Sequence, residues 1–189
     1  MGEPTAALVT ETGGDLVETR VALFDPARVY RYRLQRRWGD GPAAVFVMLN
    51  PSTATAERDD STMRRCLAFA RRERCGALTV VNLFALRSPD PRTLAKHPDP
   101  VGPANDTVLR DTLRSPALVI AAWGTHGALY QRAAEVARLI TPTPAHCLGL
   151  TADGHPRHPL YLPADTPLTP YRPDSVALSP RAGRRSTAG

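Results

Sequence analysis

Lysine is almost missing from this chain: Lys96 is the only one among 24 basic residues, which stand against 18 acidic ones for a formal net charge of +6. Arginine forms bidentate contacts to phosphate and stacks on bases, so the balance admits nucleic acid or a free nucleotide or nucleoside as partner. Cysteine is also sparse. Cys66, Cys75 and Cys147 stand far apart without a C-x-x-C pair, which argues against a disulfide framework and against zinc or iron-sulfur ligation. No run reaches the ~18 apolar residues of a membrane span, and no opening stretch joins a basic segment to an apolar one. A P-loop, a G-x-G-x-x-G turn and a G-x-S-x-G elbow are missing as well, so neither phosphate cradle nor serine-hydrolase chemistry is signalled. The expectation is a cytoplasmic protein with no membrane partner, no metal and no cofactor.

What is present suits one domain. The 189 residues are enough to bury about two-thirds of the unfolded surface. Residues 1–17 read as a polar arm with room for one edge strand, residues 18–173 as a single α/β domain, and residues 174–189, rich in Arg, Pro and Ser, as a disordered tail. Val29 to Leu34 alternates side-chain types, and Trp38-Gly39-Asp40-Gly41-Pro42 supplies turn chemistry, which predicts a β-hairpin leading into the strand from Ala43.

That strand runs to Leu49 and stops at Asn50-Pro51-Ser52, where Pro51 fixes a stiff corner. A polar loop with Glu57, Arg58, Asp59 and Asp60 follows, with Asp60 or Ser61 as helix cap. The helix from Ser61 has an apolar side and a basic face of Arg64, Arg65, Arg71, Arg72 and Arg74, and Gly76 ends it. Ala77 to Val81 is a second buried strand ending at Asn82, with Arg87 beyond it. Strand, helix and strand at this spacing make a βαβ unit with parallel pairing, so Asn50 and Asn82 share one sheet edge. A helix follows from Asn105 or Asp106, either of which can cap it. Ala117 to Ala122 is a third strand, closed by Trp123-Gly124-Thr125-His126. A helix from Ala128 to Ile140 and a short strand from His146 to Leu150 come next, and His155 to Leu162 brings His158-Pro159. The pattern is three-layer α/β/α with a mainly parallel sheet of about four or five strands. Polar clusters at four strand ends on one edge suggest a ligand crevice.

From Tyr30 to Pro163 the chain resembles a bacterial and phage domain family of unknown function. The motifs are MLNPSTA (48–54), the Asp-Asp of ERDDST (57–62), NLFALRS (82–88), DPVGPAND (99–106) and HPLYL (158–162). More distantly, the order of motifs is similar to the uracil-DNA glycosylase superfamily, which implies that fold and an N-glycosidic hydrolase activity on a nucleobase substrate. By that resemblance Asn50 with Pro51 positions the attacking water, Asn82 pairs with the edge of the base, Arg87 falls where several branches carry arginine, and His158 stabilises charge on the departing base. Ile120 to Gly124 resembles the strand that precedes a helix in those enzymes. Leu160 stands where their closing motif has serine, and no wedge loop for duplex DNA is evident. Asp60, outside that pattern, suits a counter-charge or general base, making Asn50, Asp60 and His158 the candidate catalytic set. Pro51, Ser52, Asn82, Arg87, Trp123 and His126 are the candidate substrate-binding residues. The basic face of 64–74 would hold phosphates if the target were duplex nucleic acid. Two other expectations stand beside this one: a non-catalytic nucleic-acid-binding module, and an enzyme of another small phosphorylated metabolite with Asp60 as base.

Overall fold

The computed structural model describes residues 7–114, 116–140 and 143–172. The tail predicted from residue 174 lies outside them. Eight strands form one sheet: β1 (Val9–Gly14), β2 (Thr19–Phe24), β3 (Arg31–Arg37), β4 (Ala43–Met48), β5 (Ala77–Asn82), β6 (Leu118–Ala121), β7 (Ala145–Cys147) and β8 (Thr169–Tyr171). The helices are α1 (Ser61–Arg72), α2 (Asn105–Thr112) and α3 (Arg132–Ile140). Across the sheet the order is β1-β2-β3-β5-β4-β6-β7-β8. None of the helices among the described residues is long and apolar enough to cross a membrane.

The parallel part is β5-β4-β6-β7, the four apolar runs legible in the sequence. The expectation of a mainly parallel sheet of four or five strands is corrected by the flanks. β1, β2 and β3 add antiparallel pairings on one side and β8 adds another on the far side, so the mixed sheet is mostly antiparallel. Of the added strands, β1 and β2 lack an apolar signature because they are half-exposed, and β8 is three residues long with Pro170 at its centre, a residue confined to edges.

The predicted hairpin is not formed. β3 pairs with β2 and β5, never with β4. Residues 38–42 instead fold against the end of α1, where Trp38 and Gly39 amides donate to Gly76 O and the Gly76 amide donates to Pro42 O. A Cβ at Gly76 would come within 2.3 Å of Gly41 N, so this crossing accepts only glycine.

Alternate residues of the buried strands enter separate cores. Ala44, Phe46, Met48, Leu78, Val80 and Ile120 pack with Met63, Cys66, Leu67 and Phe69 of α1. Val45, Val47, Val81, Val119 and Ala121 pack with Leu109 of α2 and with Val136 and Ile140 of α3. Period-2 alternation along the strands and i, i+3, i+4 spacing on α1 account for this division.

Three local expectations change. α2 has no side-chain cap: Asn105 uses its amide to donate to Asn82 O at 3.1 Å and Leu83 O at 3.0 Å, and Asp106 pairs with the buried Arg132. The helix expected from Ala128 starts at Arg132, because Tyr130 and Gln131 have positive φ. The last central strand is β7, one residue earlier and shorter than expected.

Candidate functional site

The chain leaves β4 through α1 toward β5, and leaves β6 through α3 toward β7 on the opposite side. Neighbouring β4 and β6 are thus a switch point, and their loops diverge to open a crevice beyond the carboxyl ends of the strands. A cavity of about 770 Å³ occupies this place. Its apolar floor is Leu34, Met48, Met63, Cys66 and Val80, all from the core on the α1 side.

The cavity brings together most of the residues singled out in the sequence. Asn50, Ser52, Asp60, Asn82, Trp123, His126 and His158 all line it. Pro51 and Arg87 do not. Pro51 is buried and its carbonyl accepts from the Ser88 amide. Arg87 lies over the Phe24 ring and donates to Arg28 O, tying the start of β3 to the loop after β5.

Asn50 is oriented by its surroundings. Its Nδ2 donates to Pro51 O at 3.0 Å and Ser88 O at 2.9 Å, which leaves Oδ1 as the end without a partner among the described residues. Asp60 is the cap of α1, accepting from the Met63 amide at 2.8 Å through Oδ1. This decides between the two caps the sequence allowed, and Oδ2 remains for other contacts. Asn82 is 1 % exposed, and its Nδ2 is buried without a hydrogen-bond partner. Trp123 presents little of itself as a stacking surface: its indole packs edge-on to Tyr171, in the core on the α2 and α3 side. A Cβ on Gly127 would strike that indole, so Trp123 is clamped under the turn that follows it. His126 is exposed on the rim.

His158 caps the 3-10 turn Pro159–Tyr161, its Nδ1 accepting from the Leu160 amide at 3.3 Å. Burial pushes its pKa below the ordinary value, with the Asp60 carboxylate opposing that shift. The ring is therefore neutral at pH 7, and with Nδ1 accepting, its proton sits on Nε2. A neutral imidazole with Nε2–H is a hydrogen-bond donor toward a developing anion.

Asp59 has a different task from its neighbour. It forms an ion pair with fully buried Arg36, Oδ1 accepting from Nε at 3.1 Å and Nη2 at 2.7 Å. The basic face of α1 is also engaged within the molecule. Arg64 donates to Asp59 O, Arg65 to Leu162 O, and Arg72 to Ala164 O and Thr166 O, while Arg71 pairs with Glu18 and covers Trp38. Arg65 and Arg72 fasten the segment after His158 to the helix, Arg64 and Arg71 are engaged elsewhere in the protein, and Arg74 is exposed.

Sequence reasoning placed Arg31, with Arg33, Arg36 and Arg37, on a strand that could face phosphates or solvent; Arg31 is 4 % exposed and lines the cavity. On the rim, sequence reasoning missed Asp90, Arg92, Arg157 and Tyr161, the last stacked obliquely against the His158 ring. Arg31 sat within an alternating polar strand and read as solvated. Only the register of β2 and β3 reveals it, since Leu23 lies opposite Arg33 and Phe24 opposite Arg31, which makes a β-bulge. A bulge re-aims side chains. Hence Arg31 and Arg36, on opposite faces in a regular strand, both reach the 54–59 loop.

No group of three or more His, Cys, Asp or Glu side chains that could hold a metal ion occurs among the described residues. Comparison with curated proteins and with solved structures returns no match. A model for the family described as "Protein of unknown function (DUF1643)" covers residues 31–160, from the cavity arginine of β3 to the turn after His158, and the chain belongs to that family.

Proposed function

We propose that the cavity binds a nucleobase-bearing small molecule and that its polar wall hydrolyses an N-glycosidic bond. The observation that carries this reading is the convergence of Asn50, Asp60, Asn82 and His158 on one cavity at the switch point of the parallel strands. About 770 Å³ suits a nucleoside or nucleotide, within the usual span of small-molecule sites. The order of the Asn-Pro, Asn and His-Pro motifs, similar to that of the uracil-DNA glycosylase superfamily and its three-layer fold, supports the same reading.

Each group has a chemical task in such a step. Departure of the base leaves negative charge on its ring and positive charge on the sugar. The Nε2–H of neutral His158 donates to the departing base, while the Asp60 carboxylate faces the cationic sugar. Asn50, with Nδ2 held by two carbonyls, presents Oδ1 to the attacking water. The Asn82 amide donates to a carbonyl on the edge of the base. Water then adds to the anomeric carbon, and its proton passes to Asp60 as general base.

A free ligand fits better than a base flipped from a duplex. Four of the five arginines that would hold a nucleic-acid backbone, Arg64, Arg65, Arg71 and Arg72, are engaged with carbonyls and carboxylates of the protein itself. This observation also weighs against a non-catalytic nucleic-acid module.

The test is base release, followed by chromatography, from nucleosides, nucleoside 5′-monophosphates, and uracil- and thymine-mismatch DNA. Asp60→Asn preserves the helix cap and removes only the charge, so its rate should fall at least about a hundredfold. Release from none of these substrates, or an Asp60→Asn rate equal to wild type, overturns the reading.

A further inference from the structure

Three arginines are buried among the described residues, and two have carboxylate partners. Arg36 pairs with Asp59, and Arg132 with Asp106 and Glu135. Arg31 has none within 4.0 Å among the described residues; its Nη1 donates to Ala54 O at 2.5 Å, Nε is buried without a partner, and Nη2 makes no hydrogen bond among the described residues. Nε and Nη2 form one edge of the guanidinium, whose parallel N–H groups fit two oxygens of an oxyanion. In Arg36 that same edge holds Asp59. In Arg31 it belongs to a side chain lining the cavity.

We propose that Arg31 is the anion subsite of this cavity and that its ligand carries an oxyanion, a phosphate monoester or a carboxylate, on that edge. The proposal rests on the cavity being a ligand site, and extends the proposed function by making the substrate anionic. A buried guanidinium without a counter-charge is costly to maintain, and a ligand oxyanion offsets that cost on binding. Burial pushes the Arg31 pKa down to about 10, with Asp60 opposing, so the group stays charged at neutral pH. Asp60 is near enough to both this subsite and His158 for its charge to act on each. A nucleoside 5′-monophosphate lying across the cavity would thus place its sugar near Asp60 and its phosphate on Arg31. On the rim, Arg92 is taken by Asp90, while Arg157 makes no ion pair among the described residues and adds positive potential at the mouth.

The experiment is calorimetric titration of the full chain with inorganic phosphate, uridine, uridine 5′-monophosphate and orotate, a pyrimidine carboxylate. Wild type is expected to bind the monophosphate or the carboxylate on the order of tenfold or more tighter than uridine, the usual worth of a charged hydrogen bond. Whichever anion gains identifies the source of the charge, and competition by inorganic phosphate points to a phosphoryl group. In Arg31→Met the preference vanishes, and in Arg31→Lys part of it survives, with circular dichroism verifying the fold. Equal binding of uridine and both anions by wild type overturns the proposal without any variant, as does an unchanged preference in Arg31→Met. The two readings fail separately. Anion preference without base release leaves the subsite standing and removes the glycosidic reaction, whereas base release without anion preference does the reverse.

Discussion

Arg36 and Arg31 lie on the same strand, are both buried, and both reach the loop between β4 and α1, yet their surroundings differ in kind. Arg36 is saturated: Asp59 holds its Nε and Nη2, and Gln35 O and Thr55 O take further donors. Arg31 has one carbonyl and an open edge. The same division separates other buried polar groups. Asn105 and Arg132 spend their donors on Asn82 O and Leu83 O, bracing the loop from behind, while Asn82 keeps Nδ2 unpaired on a side chain that lines the cavity. Arg36, Asn105 and Arg132 spend their donors on the fold, while Arg31 and Asn82, which line the cavity, each keep a buried donor unpaired among the described residues.

The largest test of this division is removal of Asp59. Asp59→Ala leaves the Arg36 guanidinium buried without its counter-charge, and urea denaturation should show a loss of about 3–5 kcal/mol. Adding Arg36→Met to Asp59→Ala should recover most of the loss, because replacing both partners removes the charge itself. A loss below about 1 kcal/mol would erase the contrast between the two arginines. Next in size is Asn105→Ala, which frees the carbonyls of Asn82 and Leu83 and should cost about 1–3 kcal/mol. Its effect on ligand binding should follow through a displaced Asn82, raising KM more than it lowers kcat.

Arg31→Met should behave in the opposite way. It removes a poorly compensated buried charge and one bond to Ala54 O, so stability without ligand should stay within about 1 kcal/mol of wild type or rise. Stabilisation by an anionic ligand, read as a thermal shift, should disappear. A variant as destabilised as Asp59→Ala would place Arg31 among the groups that hold the fold.

The sequence made one half of this arrangement legible. The apolar runs of β4, β5 and β6, each stopped by Asn50, Asn82 or Trp123, announce buried parallel strands whose ends share an edge, and Pro51 and the late His-Pro mark corners. β1 falls where the polar arm left room for an edge strand, whereas β2 and β8 were hidden because half-exposed strands carry little apolar pattern. The roles of the charged residues were hidden for another reason. Asp59 and Asp60 are neighbours of identical chemistry, and only the positions of Arg36 and the Met63 amide make one an ion-pair partner and the other a helix cap. Arg31 was obscured by the bulge at Tyr32, a register feature that a single strand does not display. Trp123 ends β6 and lines the cavity, but its parity sends most of the indole to the other core.

The smallest predicted effect concerns His158, which stands on both sides of the division. Its Nδ1 serves the fold by accepting the Leu160 amide, and its Nε2 serves the cavity. Burial holds the folded-state pKa below the ordinary 6.5. As pH falls through 6.5, the unfolded chain takes up a proton that the folded chain refuses, so this residue's contribution to stability is intact above 6.5 and declines below it. His158→Gln should therefore flatten the stability profile between pH 7 and the depressed pKa, measured by urea denaturation at a series of pH values. Catalysis should follow the same neutral ring, with rate constant down through pH 6.5 and falling only at the lower pKa, where protonation takes Nδ1 from Leu160. Asp60→Asn removes the charge that opposes the shift, so the His158 ring resonances should titrate at still lower pH. If they titrate at or above 6.5 in wild type, the ring is charged when it meets the ligand, and the assignment of one nitrogen to the fold and one to the cavity fails.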